Sequence, residues 1–233
     1  MMVELESIQL SRSVVKTILV EGIRGKSLGR ILMNNILSEF ELSGNILDLG
    51  SGSDSASYNR FLKYKEPCNV TYSDMYREGE NLVRIDMEKP FQIEHNIFDY
   101  VMCFNALEHV YNFRNVIEQS YRVLRRGGVF IGSTPFIHRF HPDPFDYFRY
   151  SHQALLRMFE EENFICERIF YIGFGPFTLA GTQWTSLMRK AFRRIFVFFD
   201  LFNILLDWIF SRISKEYPKT YALGYVFVFK KSL

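Results

Sequence analysis

The stretch that decides the fold is residues 45–54, which read NILDLGSGSD. Its apolar run carries one acid, Asp48, and ends in the turn Gly50, Ser51 and Gly52. A short apolar run that stops at a glycine turn is typical of a buried parallel strand. Glycine has no Cβ, so its backbone adopts positive φ readily and comes close to a ligand. The stretch therefore predicts a strand that ends at a nucleotide-sized pocket.

The composition of the chain limits the classes of function. Its 233 residues suffice for one α/β domain with a full core. The net charge of +2 does not indicate a broad nucleic-acid-binding surface. The 24 Phe and 13 Tyr are more than a small soluble core needs, which hints at an apolar substrate, an apolar partner or a membrane surface.

Cysteine usage and the N-terminal sequence bear on the location of the protein. Cys68, Cys103 and Cys166 are isolated and lack the spacing of metal ligands, so we predict a reduced, cytoplasmic environment and no metal site. Residues 1–13 carry acids where a signal peptide needs a basic and then an apolar run. No window reaches the roughly 18 uncharged apolar residues of a membrane-spanning helix. We therefore expect neither secretion nor a membrane span.

Short apolar runs alternate with helical patterns along the chain. The predicted strands are residues 46–49, 70–73, 82–85, 98–104, 129–133, 165–172 and 221–230. The predicted helical segments are residues 14–20, 27–40, 55–64, 110–124, 153–162 and 182–214. We expect a glycine cap at residues 126–128 and an N-cap at Ser151. The alternation predicts an α/β fold with a doubly wound, mostly parallel sheet.

The chain shows no internal repeat and no flexible linker, so we predict a single domain over residues 1–233. Residues 1–40 are expected to form N-terminal helices, and residues 134–151 a loop that faces the substrate. Residues 182–214 are expected to form a hydrophobic helical insertion before the last strand.

Polar side chains follow four of the predicted strands. Asp48 lies at the end of the first, Asp74 follows the second, Asp86 the third and Asn105 the fourth. Ligands of doubly wound sheets bind beyond the carboxyl ends of the strands. These four residues therefore predict one ligand site at that edge.

Four segments of the chain form a set: DLGSG at 48–52, the acid after the second strand, FDYVMCFNALEHV at 98–110 and RVLRRGG at 122–128. Together they resemble the class I S-adenosylmethionine-dependent methyltransferases, and among these the group whose fourth strand ends in Leu-Glu-His-Val. The resemblance runs from about residue 44 to residue 136. It implies a Rossmann-like, seven-stranded sheet with an antiparallel last strand and S-adenosyl-L-methionine as the cofactor.

The resemblance implies roles for the glycine turn. Gly50, Ser51 and Gly52 would let the backbone approach the amino-acid part of the cofactor, and Asp48 would order the turn. The chain departs from the family at Asp54, where a third glycine is common. An acid at this position would cap the following helix or lie near the cofactor's ammonium group.

The resemblance also implies roles for the other strand ends. Asp74 would accept hydrogen bonds from the ribose hydroxyls, since a carboxylate can accept both. Asp86 would accept from the adenine amino group, with the Met87 amide on a ring nitrogen. Asn105 and Ala106 would face the methionyl part.

Glu108 and His109 follow directly after these residues. We interpret them as capping and packing groups in the first turn of a helix.

The stretch TPFIHRFHPDPFDYFRYS at 134–151 fits no regular element. It places His138 and His141 at the carboxyl edge of the sheet. A hydroxyl acceptor loses its proton as the methyl group arrives, and histidine suits that role near neutral pH. We therefore predict His141 as the catalytic base and His138 as a substrate contact.

The second half of this loop predicts further substrate contacts. Asp146 would orient the imidazole or hold a cation, while Tyr147 and Arg149 would bind hydroxyls or an anion such as phosphate. In the alternative, Asp146 and Arg149 form a local ion pair and the tyrosines pack. The loop pattern resembles methyltransferases of bacterial surface-glycan biosynthesis clusters.

The segment 190–214 carries an unusually wide apolar arc. Its polar residues fall on one narrow stripe of a helical wheel: Arg193, Asp200, Asn203, Asp207 and Ser211. Three alternatives remain open, namely a homodimer interface, a wall of the substrate pocket or a helix on a membrane surface. The basic residues at its start, Arg189, Lys190, Arg193 and Arg194, would suit anionic lipids.

The prediction is thus a cytoplasmic, S-adenosylmethionine-dependent methyltransferase that O-methylates a sugar or glycan hydroxyl, in one variant lipid-linked and at the inner membrane face. Methylation of a hydrophobic small molecule, such as a quinone, lipid or polyketide, is the alternative within the enzyme class. A nucleic-acid methyltransferase is disfavoured, because Asn105 is not followed by a Pro-Pro-aromatic turn. A non-catalytic module that binds the cofactor or a partner is the alternative from another class.

Overall fold

The alternating pattern folds into one mixed sheet in the computed structural model, which describes residues 4–188, 194–213 and 216–232. The strands are β1 (Glu6–Ser7), β2 (Glu41–Leu49), β3 (Lys63–Asp74), β4 (Leu82–Arg84), β5 (Phe98–Phe104), β6 (Leu124–Pro135), β7 (Phe164–Ile172) and β8 (Gly224–Lys231). Their order is β1-β7-β8-β6-β5-β2-β3-β4. Strand β8 runs antiparallel to both neighbours and the other pairs are parallel. The predicted mostly parallel sheet with an antiparallel last strand is confirmed.

The predicted count of seven strands is wrong, because the sheet has eight among the described residues. The extra strand, β1, has only two residues and pairs parallel with β7 at the edge. Two residues cannot display a period-two pattern, so the sequence hides it. Arg168 of β7 holds it through a two-pronged pair with Glu6, at 2.6 Å for Nη2 to Oε2.

Helices cover both faces of the sheet. They are α1 (Arg12–Ile23), α2 (Leu28–Leu37), α3 (Phe113–Val123), α4 (His152–Glu161), α5 (Pro176–Ser186), α6 (Val197–Phe210) and α7 (Tyr217–Thr220). Helices α1, α2 and α6 pack with Ile46 and Val226 on one face. Helices α3 and α4 pack with Leu47 and Phe227 on the other. Neighbouring strand residues point to opposite faces, so Ile46 and Leu47 divide between the two cores.

The helix predicted at residues 55–64 is wrong. Only a 3-10 turn forms there, at Ser57–Arg60, and β3 already begins at Lys63. Short polar side chains bond locally in this segment, as when Asn59 Nδ2 donates to the Asp54 carbonyl at 3.0 Å. Such bonds compete with helical ones. Asp54 therefore has no helix to cap, and it is exposed.

The helix predicted at residues 110–124 begins three residues later, at Phe113, and ends at Val123. A separate 3-10 turn, Leu107–His109, precedes it. The predicted glycine cap is also wrong. Gly127 has φ +72° but lies inside β6. The register of β6 against β5 shifts there, so the glycine belongs to a β-bulge-like irregularity of the strand and does not cap a helix.

Other helix ends agree with the sequence. Ser151 is the N-cap of α4, and its side chain accepts a hydrogen bond from the Ala154 amide at 3.2 Å. Residues 136–151 contain no helix or strand, as predicted.

Helix α6 buries its polar residues and exposes apolar ones, which is the reverse of an ordinary surface helix. Its polar residues Asp200, Asn203 and Asp207 are buried. Asp207 accepts from the amides of Phe177 and Thr178, at 3.1 and 2.6 Å, and so caps the start of α5. The predicted polar stripe is real but faces inward; its member Arg193, like Arg189 and Lys190, lies outside the described residues. Ser211 follows the helix as its C-cap.

The outer face of α6 is apolar. Its exposed members are Phe198, Phe199, Phe202, Leu205, Trp208, Ile209 and Phe210. The helix has 14 residues. Across the part of the chain that the structure describes, no helix is long and apolar enough to cross a membrane.

Candidate active site

The glycine turn follows β2 and is fastened to the end of β3. Gly50 and Gly52 have φ of +72° and +67°, which side chains with a Cβ rarely adopt. The Gly50 amide donates to Ser73 Oγ and the Gly52 amide to the Ser73 carbonyl, each at 3.0 Å. The turn is therefore held in one conformation before any ligand binds.

Three predicted residues meet at this turn. A Cβ built on Gly50 would lie 3.3 Å from Ala106 Cβ and 3.4 Å from Met87 Cε. Because Gly50 has no side chain, a narrow space remains between the ends of β2 and β5 and the loop after β4. We call this space the cradle. We call this region, with Gly52, Asp74 and Asp86 at the neighbouring strand ends, the glycine edge. It fits a ligand that the backbone must approach closely.

Asp48 lies buried beneath the glycine edge. Its Oδ2 accepts from the Tyr58 hydroxyl at 2.8 Å, and Ser51 Oγ donates to its carbonyl at 3.1 Å. Its Oδ1 has no partner among the described residues. Burial raises the pKa of Asp48 to about 7. A buried acceptor without a partner, next to the cradle, fits a ligand that brings a hydrogen-bond donor.

Asp74 lies beside Gly52 but its carboxylate is already engaged. Oδ1 accepts from the amides of Tyr76 and Arg77, and Oδ2 pairs with Arg77 Nη2 at 2.7 Å. These bonds, led by the Arg77 guanidinium, lower the pKa of Asp74. Arg77 also fills the space next to Gly52, since its Nη2 lies 2.6 Å from a Cβ built there. A ribose on Asp74 would share this carboxylate with Arg77.

Asp86 and Met87 lie on the short loop after β4. Lys89 Nζ lies 2.9 Å from Asp86 Oδ2, and this pair lowers the pKa of Asp86. Asn115 Nδ2 donates to the carbonyls of Met87 and Lys89, both at 2.8 Å, and thereby fixes the loop to α3.

Asn105 marks the border between two sites. Its φ is +49°, its amide donates to the Ser133 carbonyl at 2.8 Å and Ser133 Oγ donates to its Oδ1 at 3.2 Å. With this backbone conformation, Ala106 lies at the glycine edge. The Asn105 side chain instead lines a separate cavity of about 390 Å³.

We call this cavity the polar pocket. It is enclosed by α2, the 3-10 turn at Leu107–His109, the loop after β6, and α5. Its charged and polar lining includes Arg30, Asn105, Glu108, His109, His138, Arg139, His141, Asp143, Thr182, Gln183 and Thr185. No described residue of α6 lines it, so the proposal that the apolar helix forms a pocket wall is not supported.

Glu108, His109 and His141 converge in the polar pocket. The Nε2 atoms of His109 and His141 each lie 3.8 Å from Glu108 Oε1. Glu108 is fully buried, and neither of its oxygens has a hydrogen-bond partner among the described residues. Burial raises its pKa to about 8. Burial also lowers the pKa of His141 and of His138, which favours the neutral form of both imidazoles.

Asp146 and Arg149 brace the loop instead of facing the pocket. Both nitrogens of the Arg149 fork pair with the Asp146 carboxylate, which lowers the pKa of Asp146. Asp146 Oδ2 accepts from the His141 amide at 2.7 Å and lies 3.3 Å from His141 Nδ1. The expectation that Asp146 orients the imidazole agrees with this geometry. The expectation that Arg149 binds substrate does not, because its guanidinium is occupied within the loop.

Tyr147 is likewise placed away from the pocket. Its side chain is exposed and packs against Tyr111 and Phe145, with ring centroids 5.4 and 5.6 Å apart. The expectation that Tyr147 contacts the substrate therefore finds no support in the geometry.

Sequence reasoning missed several residues of these sites. Glu108 and His109 do not cap α3, whose N-cap is Asn112. They lie in the 3-10 turn that points into the pocket, and an acid next to a histidine directly after a strand end was the available signal. The sequence did not indicate Arg30, because its place in the pocket depends on chain segments that are distant in sequence. It did not indicate Arg77 either, because the contact of this side chain with Gly52 depends on its rotamer.

Comparison with known families agrees with this arrangement. A family model described as a methyltransferase domain matches residues 24–166, which is more than half of the chain. No match was found among the curated proteins.

Solved structures share the fold at low sequence identity. A chain from the complex between the Haloferax volcanii Trm112 methyltransferase activator and a methyltransferase aligns with a TM-score of 0.54 over 94% of this chain and 98% of its own, at 13% identity. The cyclase SpnF aligns with a TM-score of 0.56 over 94% and 93%, at 11% identity. Phosphoethanolamine N-methyltransferase 2 of Haemonchus contortus, solved with S-adenosyl-L-methionine, aligns with a TM-score of 0.50 over 86% and 52%, at 15% identity.

These structures establish the fold, and the family match establishes the class. The close cradle at Gly50 and the unpartnered Asp48 oxygen fit the cofactor of that class. The chain belongs to the methyltransferase-domain family, and it is an S-adenosylmethionine-dependent methyltransferase.

Proposed function

We propose that this enzyme methylates a hydroxyl of a sugar or glycan, with His141 as the proton acceptor. The observation that carries the proposal is the polar pocket itself, which begins at Asn105 and holds imidazoles whose neutral form is favoured. It adjoins the glycine edge, so an acceptor in the pocket and a cofactor at the edge would meet at Asn105 and Ala106. The loop pattern's resemblance to methyltransferases of surface-glycan clusters agrees with a glycan acceptor.

Proton removal is the task that the chain must perform. Bound S-adenosylmethionine would supply an electrophilic methyl group on a sulfonium. His141 Nδ1 lies 3.1 Å from the Arg139 carbonyl and 3.3 Å from Asp146 Oδ2, both of which are acceptors. The donor Arg149 Nη2 also lies 3.3 Å from this nitrogen, but the two acceptors together favour a proton on Nδ1 and a lone pair on Nε2. Transfer of this methyl group to the acceptor oxygen would break its bond to sulfur and release S-adenosylhomocysteine, and the proton of the acceptor oxygen would pass to Nε2. The Asp146 carboxylate near Nδ1 would stabilise the imidazolium that results.

The lining combines apolar side chains, such as Met33, Ile172 and Leu223, with charged groups, and the charged groups favour a hydroxylated acceptor over a hydrophobic one. Arg30 and Arg139 offer cationic donors. The donors of Thr182, Gln183 and Thr185 are already bonded to backbone carbonyls, so these side chains offer the acceptor their oxygen atoms. A quinone or polyketide would leave the two guanidinium groups unmatched, which costs free energy in a confined site. A sugar, with or without a phosphate, would satisfy them.

The acceptor class is tested by transfer of a labelled methyl group. The full chain is incubated with methyl-labelled cofactor and parallel sets of nucleotide sugars, glycan extracts, quinones and lipids. We expect label in sugars, as methyl ethers that survive mild base. Label confined to quinones or lipids, or to nitrogen atoms, would contradict the proposal while leaving the methyltransferase assignment intact.

We further propose that the outer face of α6 rests on an anionic membrane surface, where a lipid-linked acceptor would be available. Phe198 and Phe202 are 70% and 55% exposed on this face. The cations beside it fit anionic lipid: Arg194 is exposed, and the Arg212 guanidinium lies over the Trp208 ring at 4.0 Å. A large apolar face of this kind with cations beside it is typical of interfacial helices.

Vesicle flotation tests the membrane proposal. We expect the chain to float with phosphatidylglycerol vesicles, and Phe198→Asp with Phe202→Asp to abolish flotation. Ile165→Asp is the matched control, since Ile165 is also exposed but lies on β7. A chain that stays at the bottom of the gradient, and sediments as a dimer that the double variant dissociates, would show a homodimer interface instead.

A further inference from the structure

We propose that Glu108, His109 and His141 form a binding site for a divalent transition-metal ion. Each offers one ligand atom, and these atoms all lie within 4.8 Å of one another. The inference concerns the same polar pocket but does not rest on the proposed function, because an ion on His141 Nε2 would occupy the lone pair that the proposed base uses.

The separations suit a shared ion. Bonds from zinc to histidine nitrogen or carboxylate oxygen are about 2.0–2.2 Å, so two ligands of one ion lie at most about 4.3 Å apart. The two Nε2 atoms each lie 3.8 Å from Glu108 Oε1, inside that limit. All three ligand atoms lie within 4.8 Å of one another, which is at most about 0.5 Å beyond that limit. Small rotations of the half-buried imidazoles would close that difference.

Both imidazoles are oriented as metal ligands usually are. His109 Nδ1 lies at hydrogen-bond distance from the Phe145 carbonyl, and His141 Nδ1 from the Arg139 carbonyl. A carbonyl acceptor favours the proton on Nδ1, which leaves the Nε2 lone pair directed at Glu108. Metal-bound histidines typically donate their second nitrogen to a carbonyl or carboxylate in this way.

Glu108 supplies the independent observation. Its side chain is fully buried and both of its oxygens lack hydrogen-bond partners among the described residues. Buried carboxylates without partners are costly, so one that faces two imidazole lone pairs needs a cation or a proton between them. An ion would satisfy the carboxylate and both imidazoles at once.

The donor set selects the kind of ion. Two imidazoles and one carboxylate suit Zn²⁺, Co²⁺ or Fe²⁺, whereas Mg²⁺ and Ca²⁺ prefer oxygen ligands. Three protein ligands leave coordination positions open toward the pocket, as in catalytic sites. The ion and the acceptor proton would use the same lone pair of His141, so a filled site excludes proton uptake at Nε2.

Cobalt titration tests the site without any need for turnover. Untagged full chain is titrated with Co²⁺ and followed by its visible absorption, together with Glu108→Gln, His109→Ala and His141→Ala. We expect saturation at one ion per chain and an affinity loss of about 10- to 100-fold or more in each variant. His95→Ala is the matched control, because His95 is exposed and outside the pocket.

Binding of S-adenosylhomocysteine is measured on every variant, as proof of folding and of an intact glycine edge. No saturable cobalt spectrum from a wild-type chain that binds S-adenosylhomocysteine would overturn the metal site and leave the methyltransferase assignment untouched. Equal cobalt affinity in the wild-type chain and all three pocket variants would also overturn it, since the ion would then bind elsewhere.

Discussion

The glycine edge and the polar pocket adjoin at Asn105 and Ala106, yet they are built in different ways. At the glycine edge, backbone comes close to the ligand because Gly50 and Gly52 have no side chain. In the polar pocket, ionisable side chains define the site, led by the buried Glu108 and the half-buried His141. The same edge of the sheet therefore carries two neighbouring sites: the shape of one is determined by backbone geometry, and the chemistry of the other by the charges of its side chains. Substitutions should therefore affect one site and spare the other.

The largest expected effect is at the glycine edge. Gly50→Val would place side-chain atoms between Ala106 and Met87 and would strain a residue at φ +72°. We expect a loss of about 3 kcal/mol or more of cofactor binding free energy, which is more than about 100-fold in affinity. Cofactor-dependent thermal stabilisation measures it. Gly79→Val is the control, because nothing lies within 4 Å of a Cβ at Gly79; equal effects of the two variants would contradict the cradle.

The next largest effect is expected from a substitution in the polar pocket. His141→Ala removes the proposed proton acceptor, so we expect methyl transfer to slow by about 10²- to 10⁴-fold. The rate is measured with the acceptor identified by labelling, with His95→Ala as the control. Turnover that persists in His141→Ala would place the base elsewhere in the pocket or show that none is required.

A smaller effect is expected from the brace that holds His141. Asp146→Ala leaves Arg149 without its carboxylate and frees the loop, which should cost about 1–3 kcal/mol of stability. Misplacement of the imidazole should slow transfer by about 10- to 100-fold, less than His141→Ala. Thermal unfolding and initial rates give the two values. Glu161→Ala, which breaks only exposed ion pairs, should change neither.

The pH dependence of stability tests the buried acid below the glycine edge. Folding raises the pKa of Asp48 from 3.8 to about 7, so between these values the folded chain holds a proton that the unfolded chain has lost. Its contribution to stability is therefore complete below pH 3.8 and declines as the pH rises toward 7. Well inside this pH range, the free energy of unfolding should decline by roughly 1.4 kcal/mol per pH unit.

Asp48→Asn keeps an acceptor for Tyr58 but cannot titrate. Denaturant unfolding between pH 4 and pH 7 should show a shallower decline for this variant than for the wild-type chain. Identical slopes would mean that Asp48 ionises normally in the folded state.

The smallest effect concerns Arg77. Its guanidinium shares the Asp74 carboxylate that the ribose is expected to use. Arg77→Ala should therefore tighten cofactor binding by about two- to fivefold, as expected for loss of an exposed competitor. Calorimetry measures the change, with the exposed Arg126→Ala as control. Weaker binding in Arg77→Ala would show that Arg77 holds the cofactor instead of competing with it.

The two sites also differ in how far sequence predicts them. Residues of the glycine edge could be named from sequence because strand ends and glycines are local signals, and Gly50, Met87 and Ala106 do meet. The same reasoning missed Arg77, whose effect depends on a side-chain rotamer. It also predicted a helix at residues 55–64, where local polar bonds and an early β3 leave a single 3-10 turn.

The polar pocket was predicted less completely. His138 and His141 lie in it, whereas Arg149 and Tyr147 do not, because an ion pair and aromatic packing determine where loop side chains go. Helix α6 teaches the same lesson. Its polar stripe was visible in the sequence, but the inward direction of the stripe depends on tertiary contacts such as the cap that Asp207 forms on α5.

Calorimetric titration of S-adenosylhomocysteine into three proteins tests the central claim most directly. The claim predicts that the wild-type chain and His141→Ala bind with affinities that agree within about twofold, while Gly50→Val does not bind measurably. Failure of the wild-type chain to bind, or an equal loss in His141→Ala and Gly50→Val, would contradict a cofactor site at the glycine edge that is separate from the polar pocket.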